Sequence, residues 1–256
     1  MLSKTSPKYR YWTQRIFKLA ALLALMVVLT AAPSKCLAQI TVSAANDDVP
    51  VRHVNVARDT VEMVQTDMEK EFSLTLSGDV TIELNAGKNP NAKKTHGTAR
   101  KGHISIWLED SDEPFKVAFL VAHELTHQYQ MELVGERTLD RNMWFTEGMA
   151  DVIGASTANY FGKDKFKAFA QSAYNKVSGR YVSLTACERR TDWFNMYDKG
   201  APVYAKADVA MMYLTSQHSP LLMWSYLYKL RDTNDTSKAL QKTYGIGTRE
   251  LERIIG

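Results

Sequence analysis

Cysteine is nearly absent from this 256-residue chain, which has two, Cys36 and Cys187. A cut after Ala38, argued below, leaves only Cys187. One thiol cannot close an internal disulfide, so the folded part must be held by its core, and the remaining 218 residues suffice to build one. A membrane-spanning run of roughly 20 apolar residues is also missing; the apolar run Leu19–Ala32 has 14. Internal repeats and low-complexity stretches are not found, which excludes solenoid and fibrous designs. Nor is there a real excess of positive charge. Lys4, Lys8, Arg10, Arg15, Lys18 and Lys35 are six basic residues with no acidic residue among the first 38, and removing them turns the formal +4 into −2. The basic isoelectric point therefore belongs to the leader, and composition points to no nucleic-acid partner.

The first 38 residues have the order of a secretory signal: a basic region, an apolar core, and small residues ending at Ala38 before Gln39. The expectation is an exported protein, periplasmic or secreted, with a signal peptide at 1–38 and one domain at 39–256. Membrane contact would then come only through an uncleaved leader.

Within the domain, Val61, Val64, Met68 and Phe72 recur at three- and four-residue steps, which predicts a helix over 56–72. Two segments, 79–84 and 103–108, alternate apolar and polar residues as half-buried strands do. Between them, 85–102 is rich in Asn, Gly, Lys and Pro and reads as a long basic loop. From Ser111, a candidate helix cap followed by Asp112 and Glu113, the pattern turns helical. Further helices are expected at 142–158, 163–177, 202–216, 219–230 and 246–254. A small sheet followed by helices is an α+β pattern.

The chemistry concentrates in His123-Glu124-Leu125-Thr126-His127. On a helix, residues four apart share a face, so both imidazoles can reach one metal ion. Glu124 points to one side, placed to take a proton from a metal-activated water. The pattern arises by chance in on the order of one chain in a hundred of this length. A catalytic zinc has three protein ligands, and Glu147, after 19 intervening residues, is the candidate third. Asp151, one turn further, can accept a hydrogen bond from a ligating imidazole and fix its tautomer. His53, His96 and His103 have no partner at ligand spacing, and Cys187 has no recognisable base beside it.

These residues resemble the gluzincin metallopeptidases, whose pattern is two His and a Glu on one helix and Glu-x-x-x-Asp on the next. Trp144-Phe-x-Glu-Gly-x-Ala-Asp151 is similar to the catalytic domain of M1-like peptidases. The resemblance implies a zincin-like α+β fold, with a small sheet packed on the active-site helix and a mainly helical C-terminal half. It also implies Zn2+ on His123, His127 and Glu147, and peptide-bond hydrolysis with Glu124 as general base. Tyr204, in Tyr204-Ala-Lys-Ala207, would stabilise the oxyanion, with His218 as the rival donor. Two departures stand out: Ala207 occupies the place of a family glycine, and no Gly-x-Met-x-Asn segment is present to hold a free amine. The strand over 103–108 is expected to pair with a peptide or protein substrate as an edge strand does. The alternative from a different class is an exported zinc-binding module without turnover, acting in partner recognition.

Overall fold

β1 (Ile40–Ala44), β2 (Val80–Ala86), β3 (Gly97–Arg100) and β4 (His103–Leu108) form one mixed sheet in the order β1-β2-β4-β3. The computed structural model describes residues 38–90 and 96–256, so the expected leader, all but its last residue Ala38, falls outside the described residues. β1, β2 and β4 run parallel, and β3 turns back antiparallel on β4. Val80, Ile82 and Leu84 on β2 and Ile104, Ile106 and Leu108 on β4 are buried, with Ile82 beside Ile104 and Leu84 beside Ile106. Each such side chain is worth ~1.5–3 kcal/mol when fully withdrawn from water. A slip of one residue would turn them all outward.

Two strands depart from the sequence expectation. β1 has one fully buried side chain, Val42, and so too little alternation to register. β3 lies inside the segment read as a loop. Its Gly-Thr-Ala-Arg carries no apolar period, and it is a strand because β4 beside it supplies the hydrogen bonds. The edges of the sheet are accordingly β1 and β3, and β4 sits inside, between β2 and β3.

α1 (Val51–Lys70) begins five residues before the expected start, directly after Pro50, and lays Ala57, Val61, Val64 and Met68 on the core. α2 (Pro114–Val134) carries the paired histidines. Its cap is not Ser111: Glu113 precedes it in extended conformation and Pro114 takes the first helical position, where a missing N–H costs nothing. Asp112 instead closes the preceding turn by accepting from the Glu109 amide at 2.9 Å and pairs with Lys116 at 2.8 Å. Past His127, the Gln128 side chain accepts from the Gly102 amide at 3.0 Å and donates to the Arg100 carbonyl at 2.7 Å. That clamp ties the β3–β4 turn to α2.

After the short α3 (Glu136–Leu139), α4 (Met143–Ala158) returns against α2, and α5 (Lys165–Val177), α6 (Arg190–Asp198) and α7 (Val203–Gln217) surround it. α8 (Leu221–Thr233), α9 (Thr236–Tyr244) and α10 (Thr248–Ile255) complete the helical half. α3, α6 and α9 were not foreseen, although Asp235 caps α9 by accepting from the Lys238 amide at 2.9 Å. The architecture is α+β. None of the described helices is long and apolar enough to cross a membrane.

The α4–α7 crossing is unusually close at Gly148. A methyl group there would lie 2.8 Å from both the Ala207 carbonyl oxygen and Met211 Cγ. Gly148→Ala is therefore expected to destabilise the protein by ~1–3 kcal/mol through overpacking, despite alanine's better helix propensity. Urea unfolding of the variant against wild type checks this.

Candidate metal centre

α2 and α4 face each other so that His123, His127 and Glu147 converge. The two histidine Nε2 atoms are 3.1 Å apart, His123 Nε2 is 3.6 Å from one Glu147 oxygen, and His127 Nε2 is 3.8 Å from the other. The three form a group able to hold a metal ion. A tetrahedral cation with bonds of about 2.0–2.1 Å has ligand–ligand edges of roughly 3.3–3.4 Å, so these spacings fit one ion with little adjustment.

Both imidazoles are held from behind. His123 Nδ1 lies 2.8 Å from Asp151 Oδ1, and His127 Nδ1 lies 2.8 Å from Gln130 Oε1. The Gln130 amide in turn donates to the Thr146 carbonyl of α4 at 3.1 Å. With Nδ1 of each ring carrying the donated hydrogen, each Nε2 offers a lone pair to the centre of the cluster. Gln130 was passed over in the sequence, although its three-residue spacing from His127 puts it on the same helical face.

Electrostatics show how much the cluster needs a positive charge. Burial works against protonation of His123, but the carboxylates of Asp151, Glu147 and Glu124 outweigh it and raise its pKa well above the ordinary value. Burial and the charge of His123 hold His127 lower. Glu147 is lowered because the two histidines, with Arg190, overcome its desolvation. Glu124, 6% exposed, is pushed up to about 7 chiefly by burial, against the pull of His123 and with the push of Glu147 and Asp151. Without a metal, one proton on His123 supplies the positive charge. A metal ion would take its place and release it.

Glu124 does not belong to the converging trio. It reaches towards β3, where a methyl group on Gly97 would collide with its carboxyl group. The buried Glu124 side chain is thus packed under the edge strand, a contact no motif announced.

Tyr204 stands in the first turn of α7, edge-on to Trp193 and Tyr197 of α6, with ring centroids 4.9 and 5.3 Å away. Burial and the nearby Glu147 charge raise its pKa, so the phenol keeps its proton. His218 follows the other end of α7, 14 residues on, which is ~21 Å along a helix. It packs on Tyr244 and is not part of the cluster. His53 is buried with Nε2 3.0 Å from the Asp112 carbonyl oxygen, and His103 meets Ser105 at 3.0 Å on the surface; neither approaches ligand geometry. Burial pushes the Cys187 thiol up to about 12, the opposite of an activated nucleophile.

A cavity of about 1270 Å³ is lined by Arg141, Arg189, Arg190 and Arg249, matched by Asp140, Glu188, Asp235 and Glu250, and contains none of the cluster residues. No known family model matches the chain, and no curated protein matches it.

Metal analysis of the purified protein is expected to give about one divalent ion per chain, largely lost in Glu147→Ala. Because binding must displace the His123 proton, affinity is expected to fall as pH is lowered, which a chelator competition across pH reads directly.

Proposed function

We propose that this chain is an exported zinc-dependent peptidase of the gluzincin type. The observation carrying this reading is the convergence of His123, His127 and Glu147 at 3.1–3.8 Å beside a buried carboxyl, Glu124, that is left out of the ligand set. Two imidazoles and a carboxylate at tetrahedral spacing suit zinc, and three protein ligands leave a position for water, as catalytic sites do. A zinc ion held there would act as a Lewis acid on the substrate carbonyl and acidify the attacking water.

The remaining steps belong to the protein's own side chains. Glu124 takes the proton from the attacking water and returns it to the leaving amine. Burial lifts its carboxyl pKa and a nearby dication lowers it, so the carboxyl can perform both transfers. Asp151 and Gln130 keep the imidazoles oriented. Tyr204, still protonated and close enough to feel Glu147, donates a hydrogen bond to the oxyanion.

An extended peptide substrate would lie along β3, an edge strand, which pairs on one side only among the described residues. Its antiparallel direction relative to β4 and its contact with Glu124 support strand addition at that edge. The sequence contains no Gly-x-Met-x-Asn anchor for a free amine, which favours internal cleavage over removal of terminal residues.

Glu124→Gln tests the reading against a zinc-binding module without turnover. The variant is expected to keep zinc while hydrolysis of a peptide library falls by about 10²–10⁴-fold, the usual worth of a general base. Tyr204→Phe should lower kcat by roughly 10²–10³-fold. Wild-type protein that holds zinc but cleaves no peptide would sink the enzyme in favour of the module.

A further inference from the structure

Gly97 opens β3 and is buried where that strand packs on α2. Its backbone lies outside the left-handed region that favours glycine, so conformation does not call for one there. Within a strand, glycine also gives up a side chain that could pack. Space is the remaining reason. A methyl group at 97 would lie 2.8 Å from both Cγ and Cδ of Glu124, and its nearest neighbours would all be atoms of that side chain.

The strand is fixed at both ends. The His96 carbonyl accepts from the Trp107 amide of β4 at 2.7 Å, and Gly97 to Arg100 run in register with Ile106 to His103. At the far end, Gln128 accepts from the Gly102 amide and donates to the Arg100 carbonyl. Gln128 follows Glu124 by four residues, so the two share a face of α2. The residue that fastens the strand to the helix thus stands one turn from the residue that fills the gap between them.

We propose that Gly97 is a positioning residue for the hydrolysis: its missing side chain is the space that holds the Glu124 carboxyl in place. The proposal rests on the zinc-peptidase reading, in which Glu124 moves the protons. Gln128 sets the height of β3 over α2, and Gly97 leaves the carboxyl room beneath the strand. A methyl at 2.8 Å, against an ordinary carbon–carbon contact of about 3.5 Å, displaces the carboxyl by ~0.7 Å. Catalytic groups have to be held within about 0.5 Å of their productive geometry. The carboxyl is the free end of a flexible side chain, so its displacement costs the fold little. Gly97 therefore acts on the rate through Glu124 and not on stability.

The test compares wild type, Gly97→Ala, Glu124→Gln and the double variant on one peptide that wild type cleaves. Zinc content and urea unfolding are measured on each. Gly97→Ala is expected to keep about one zinc per chain and a urea midpoint no lower than wild type's, since alanine is the better strand residue. Its kcat is expected to fall by about 10–10²-fold, the effect of a misplacement of roughly 1 Å, with KM within about twofold. In the Glu124→Gln background the same change is expected to cost less than about threefold, because the displaced group no longer transfers protons.

Wild-type kcat in Gly97→Ala overturns the proposal. So does a loss carried by KM alone, which would mark Gly97 as a substrate contact on the edge strand. Equal losses with and without the Glu124 carboxylate overturn it too, because the methyl would then act elsewhere. A Gly97→Ala protein that loses its zinc or its fold does the same, since the collision would be borne by the strand or the metal ligands. Wild-type protein that holds zinc but cleaves no peptide sinks the peptidase reading and this role with it, a result distinct from an active enzyme indifferent to Gly97.

Discussion

The contact between α2 and α4 gathers five ionisable side chains, His123, Glu124, His127, Glu147 and Asp151, in one water-poor seam. Each charge taken out of water costs several kcal/mol unless partners replace the lost hydration. Asp151 and Gln130 settle the outer nitrogens of the two rings. The inner Nε2 atoms and Glu147 are left pointing at one another, and only a cation or a proton satisfies all three. That unmet demand is the reason to read the cluster as a cation site.

Such a seam needs helices that approach closely, and α4 provides the approach. A methyl group at Gly154 would lie 3.0 Å from the Phe119 carbonyl oxygen and 3.4 Å from His123 Cβ, while Gly148 makes the same allowance for α7. Glycine inside a helix costs roughly 0.5–1 kcal/mol relative to alanine. Here that loss sets the spacing on which the ligand distances depend. The gap at the α4–α7 crossing is made by Gly148, so the backbone of α7 at Ala207 lies directly against α4.

The cluster was legible in the sequence because the helical period does the geometry: His123 and His127 one turn apart, and Glu147 and Asp151 one turn apart on the returning helix. The long apolar helices were legible for the same reason. β1 and β3 were not, since one buries a single side chain and the other none of length, so their state is decided by neighbours and not by pattern. Missing β3 misplaced the sheet's edge, and with it the strand that packs on Glu124. Ser111 looked like a cap, but Pro114 made a helical start at the first turn available without one.

A metal centre of this kind can be the reason a fold exists or a passenger on one that stands alone. In small zinc modules the ion supplies the folding energy outright. Here the cluster rests on a core that includes Trp144, Phe145, Leu125, Trp193 and Tyr226, each almost completely buried, with Phe145 and Tyr226 stacked at 3.8 Å. The carboxylates around His123 favour its protonated form, which offsets part of their own charge. A bound metal then adds stability by mass action, as any ligand of the native state does, and does not create that state. A fold that is already complete can hold its ligands at fixed spacing before the ion arrives. On the proposed zinc reading, that pre-formed spacing would leave one coordination position for water and substrate, where a site built by its metal would close around it.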